Sequence, residues 1–101
     1  MSRWRPQGYP APDLFAGSYR CRFRLCHVRD DGLIEIMTVG DQRGGGGRLE
    51  PVTAGFNFIS FVARRPEEGE AAEVARAACN DARTAEAQHM ALLKEWEDRE
   101  A

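Results

Sequence analysis

Residues 18–39 read SYRCRFRLCHVRDDGLIEIMTV, and their pattern decides the fold. From Ser18 to Val28 the period is two: Tyr19, Cys21, Phe23, Leu25 and His27 fall on one face, and Arg20, Arg22, Arg24 and Cys26 on the other. That alternation predicts a strand. Asp30-Asp31-Gly32 supplies turn residues, with Gly32 free to adopt positive φ. Leu33–Val39 (LIEIMTV) is rich in branched side chains and predicts the return strand. Its apolar residues occupy both faces, so it is expected to be central, with a cover on each side.

Downstream, Gly40–Arg48 (GDQRGGGGR) predicts a flexible hairpin tip, because consecutive glycines lose the most backbone entropy on ordering. A phosphate cradle would need a Gly-Lys-Ser/Thr ending and a following helix, and this stretch has neither. Leu49–Thr53 suggests a short strand, confined by Pro51 to an edge or bulge. Phe56–Arg64 predicts a further strand with Phe56, Phe58, Ser60 and Val62 on one face and Asn57, Ile59, Phe61 and Ala63 on the other. Pro66 and the following Glu67, Glu68 and Glu70 suit a helix start. A helix is therefore expected over about 67–99, regular from about Glu70 for about 28 residues and roughly 42 Å. Val74, Ala78, Ala82, Ala85, His89, Leu92 and Trp96 would form its apolar stripe. Such a helix would outreach its sheet and offer Leu92, Leu93 and Trp96 to a partner or a second copy.

Upstream, residues 1–17 form a Pro- and Gly-spaced arm whose Trp4 and Tyr9 are candidate anchors for a partner. The expected fold is α+β: one domain over 18–101, with an antiparallel meander of three to four strands in 18–64 and a long C-terminal helix packed on it. The connections between strands are too short for parallel crossovers.

With 101 residues, two-domain enzymes are excluded. No stretch approaches the ~20 apolar residues of a membrane-spanning helix, and the N-terminal residues lack an apolar signal core. The expectation is a cytoplasmic protein with three free thiols. The formal charge of −2 conceals a split: residues 1–66 carry +4 and residues 67–101 carry −6. Two charged faces suit contact with a partner.

Cys21, Cys26, His27, Cys79 and His89 are the metal-ligating types, but Cys-x4-Cys within a strand places its thiols on opposite sides. No metal or other cofactor is expected. Cys26 and His27 are adjacent in a strand and point apart, so a thiolate–imidazolium pair is not expected either. The chain reads as a non-enzyme.

Arg20, Arg22 and Arg24 form a row with ~6.6–7 Å between neighbours, near the phosphate spacing of a nucleic-acid strand. Arg43 and Arg48 flank the Gly-rich tip and add to the candidate contact surface. Ala54-Gly55-Phe56-Asn57-Phe58-Ile59-Ser60-Phe61 resembles the RNP1 motif of RNA-recognition-motif domains. That resemblance implies Phe56 and Phe58 as a base-stacking pair, with Ile59 and Phe61 in the core. Ala54 and Asn57 depart from the motif, and the strand order departs from that family's fold.

In size and overall build the chain resembles small phage-encoded inhibitors of bacterial defence, anti-CRISPR proteins among them; no residue motif carries the likeness. It implies a non-enzymatic protein that occupies a surface of a larger protein or nucleoprotein partner. The alternatives are a nucleic-acid-binding module using the Arg row with Phe56 and Phe58, and a homodimeric structural domain joined through the C-terminal helix.

Overall fold

A computed structural model describes residues 3–7 and 20–100. The alternating segment forms β2 (Cys21–Arg29), and the branched segment forms β3 (Ile34–Arg43). The turn between them is held locally. Gly32 (φ 76°) donates to Arg29 O, and Asp31 Oδ1 accepts from Leu33 N at 2.9 Å. β3 is central, paired antiparallel with β2 on one side and with β5 (Phe58–Arg64) on the other. Residues 34–40 are all buried, as a strand with apolar groups on both faces requires. β1 (Trp4–Pro6) pairs with β2, β4 (Leu49–Glu50) with β3, and β6 (Ala72–Cys79) with β5. The sheet order is β1-β2-β3-β5-β6, each pairing antiparallel, and α1 (Ala82–Trp96) follows. This is the expected α+β architecture.

The helix expected over about 67–99 is divided. Residues 72–79 are strand β6, and α1 has 15 residues, about 22 Å in length. Val74 and Ala78 therefore belong to a strand, and Pro66 lies in an exposed connector. Edge pairing with β5 overrides the helix propensity of Ala-Glu-Val-Ala-Arg-Ala-Ala. The true start is set by Asp81, whose carboxylate accepts from Thr84 N at 2.8 Å and Thr84 Oγ1 at 2.7 Å. The β5–β6 register slips between Val62 and Ala63, and near this bulge Glu73 and Arg76 come together in an ion pair.

Alternation along the strands divides the core in two. On one face α1 covers Trp4, Ile34, Ile36 and Val62 with Leu93 and Trp96 at its C-terminal end, and Ala85 packs with Phe58 and Cys79 at its N-terminal end. A second cluster contains Cys21, Cys26, Met37, Val39, Val52, Ile59 and Phe61. Cys21 and Cys26, expected on opposite sides, share that cluster; Cys21 lies at the end of β2, near where Asp41 (φ 52°) interrupts the regular pleat of β3. Arg29, only 2% exposed, ties the helix end to the sheet by donating to Trp96 O (2.8 Å) and Arg99 O (2.6 Å) and pairing with Asp31. Trp4 Nε1 adds a hydrogen bond to Leu93 O at 3.0 Å.

Candidate anion-binding surface

The period of two in β2 places Arg22 and Arg24 together on the face opposite α1, and Arg20 lies just before the strand. The register that pairs Cys21 with Gln42 brings Arg43, at the end of β3, beside Arg20. These four arginines, with Cys21 and Gly44, line one concavity of about 530 Å³. Arg20, Arg22, Arg24 and Arg43 are all exposed, and Arg22 and Arg43 form no ion pair with the described residues. Among the described residues, two carboxylates border the site: Asp41 acts on Cys21, and the Glu50 side chain occupies the space a Cβ on Gly44 would need. Cation charge exceeds anion charge there by two.

Burial pushes the Cys21 thiol up from its ordinary value, against the pull of Arg24 and Arg20. Burial likewise raises the Cys79 thiol. Neither thiol is activated as a nucleophile by its surroundings. Among the described residues, no three His, Cys, Asp or Glu side chains converge in a way that could hold a metal ion.

The sequence-predicted residues divide sharply. Arg20, Arg22, Arg24 and Arg43 come together; Arg48 lies beyond them, its carbonyl accepting from Gly44 N. Trp4, Leu93 and Trp96 are not available as partner anchors, because they pack together between β1, the sheet and α1, at 8%, 8% and 9% exposure. Leu92 is half-buried beside them. Tyr9 lies outside the described residues. Buried positions run from Ala85 to Trp96, so no bulky helix end stands clear and the reason to expect a second copy there falls away.

Phe56 and Phe58 do not form a stacking pair. Phe56 is 39% exposed ahead of β5, whereas Phe58 is 3% exposed, its ring over Gly40 and edge-on to Phe23 at 5.3 Å. The acidic residues of 67–100 are spread over a connector, β6 and α1 rather than one helix face. What the sequence reading missed is the meeting of His27 and His89, 62 residues apart and 2.8 Å between ring nitrogens. Equal parity of His27 and Leu25 on β2, with His89 on the helix stripe, was the available signal. No helix among the described residues is long and apolar enough to cross a membrane. Comparison with protein-family models, curated proteins and solved structures returns no match.

Proposed function

We propose that this is a non-enzymatic binding protein that occupies an acidic surface of a larger protein or nucleoprotein partner. One observation carries the reading: Arg20, Arg22, Arg24 and Arg43 meet around a single concavity on the face of β2 turned away from the helix. Guanidinium groups fork onto carboxylates with two parallel hydrogen bonds, and a cluster of them suits a group of acidic side chains. A protein partner is favoured over a nucleic acid because the expected stacking platform is dismantled: Phe58 is core. The resemblance in size and build to phage-encoded inhibitors makes a host defence complex the first partner to test, with the protein acting as an anti-CRISPR would, by obstruction.

The test is affinity capture at low salt, with wild type beside Arg22→Glu/Arg43→Glu. A stoichiometric protein partner held by wild type and released by the double variant is the expected result. Equal recovery by both forms contradicts the assignment. Recovery of nucleic acid alone, abolished by nuclease, moves the arginines to the nucleic-acid reading.

A further inference from the structure

Between the two apolar clusters under α1 runs a line of polar side chains that the arginine surface does not use. Gln88 Nε2 donates to Ser60 Oγ at 3.2 Å, and Ser60 and Thr38 share a hydrogen bond of 2.7 Å. Thr38 Oγ1 lies 2.7 Å from His89 Nδ1, and His89 Nε2 lies 2.8 Å from His27 Nδ1. Thr38, Ser60 and His89 are 0% exposed; His27 is half-buried. One direction of donation satisfies the run: Gln88 to Ser60, Ser60 to Thr38, Thr38 to His89 Nδ1, and His89 Nε2–H to His27 Nδ1. Both imidazoles are then neutral, and a single proton lies between the rings.

This geometry accepts further protons badly. With both rings charged, two N–H groups would face each other across 2.8 Å. Among the described residues, no carboxylate is placed to compensate. On α1, Arg83, Glu86, Lys94 and Glu95 are exposed. β3 and β5 present Ile36, Thr38, Ser60 and Val62 to the helix, none of them ionisable. β6 contributes Cys79, packed beside Ala85. On β2, Arg29 is turned to the helix end and bound by Asp31. β1 sets Pro6 against His27, and its Arg5 is exposed. Glu35 sits on the opposite face, bound by Arg65.

We propose that the His27–His89–Thr38–Ser60 run is an acid-released latch: proton uptake by the histidine pair frees α1 from the sheet while the sheet remains folded. The second core cluster contains no residue of α1, so the strands keep one packed face when the helix lifts. The helix itself buries Ala85, His89, Leu93 and Trp96, only two of them large and apolar. Burial and the neighbouring His27 hold His89 down to about 4, and burial lowers His27. The sign follows from linkage. The lifted helix, with ordinary imidazoles, binds protons the closed form refuses, so the latch is closed above about pH 6.5 and weakens as the pH falls below it.

Amide hydrogen exchange between pH 7 and 5, above the range where carboxylates titrate, reads the latch directly. In wild type, protection factors in α1 fall below pH 6.5 by up to about tenfold per pH unit for each proton taken up, while those of β3 and β5 hold. In His89→Gln the fall is much shallower, leaving only the part that burial of His27 contributes. A wild type with flat α1 protection, or a His89→Gln protein that loses it as wild type does, overturns the proposal. Should His89→Gln not fold, His27→Gln decides: removing the second ring reduces the pH slope if the latch is real, and an unchanged slope refutes it.

Discussion

Gly40 is conspicuous in the sequence only as the end of a branched strand, yet it decides how Phe58 packs. The Phe58 ring lies where a Cβ on Gly40 would be, and this close approach lets it reach Phe23 edge-on at 5.3 Å. Gly40→Ala is therefore expected to destabilise by roughly 1–3 kcal/mol as an overpacked core does. Pairing it with Phe58→Leu should recover part of the loss in a urea double-mutant cycle. Arg29 is the other single residue with a wide reach, since it satisfies the carbonyls of Trp96 and Arg99 from a buried position. Arg29→Met leaves those acceptors unpaired and should lower stability by roughly 2–3 kcal/mol, read from the urea midpoint. The Arg29 guanidinium also holds the Asp31 carboxyl below its usual range, so this contribution is present above the ordinary carboxylate value and is lost as the pH falls through the lowered one. Neither role was legible in advance. Gly40 needs the β3–β5 register to be known, and Arg29 needs the position of a helix end 67 residues away.

At the scale of elements, β2 and β3 could be read directly from the period of two and from the run of branched residues, because burial of one or both faces writes itself into those patterns. β6 could not. Its alanines favour a helix in isolation, and its spacing of four between Val74 and Ala78 continues into the real helix stripe. Only the pairing with β5 makes it a strand, and pairing is not a local property. The break was nevertheless marked, by Asp81 three residues ahead of Thr84. Asp81→Ala should lower the thermal midpoint and the exchange protection of the first turn of α1, while Asp81→Ser keeps both. Hydrogen bonds from Thr84 hold the Asp81 carboxyl below its ordinary value, so the cap is complete above that range and fades in acid. Asp81→Asn should cap without that fading, which a pH series of thermal melts resolves.

Across the whole molecule, the charge split legible in the sequence acquires a shape. Arg20, Arg22 and Arg24, at alternate positions, were expected to form a row; the hairpin brings Arg43 to them from the far end of β3 and turns the row into the wall of a concavity. The acidic half did not become a matching face, since its residues went to a connector, an edge strand and a helix. Trp4, Leu93 and Trp96 were drawn inward, where they complete the apolar cluster of Ile34, Ile36 and Val62 on the helix-covered face. Exposed guanidinium contacts are screened by salt, so binding through this surface should weaken steadily from 0.05 to 0.5 M, as the Debye length falls from roughly 14 to 4 Å. The central claim is that the arginine concavity is the contact surface. Its most direct test is quantitative capture of a partner by wild type and by Arg22→Glu/Arg43→Glu, with circular dichroism first checking that both are folded. A protein bound stoichiometrically by the first and lost by the second is the predicted result; a partner retained undiminished by the charge-reversed protein contradicts it.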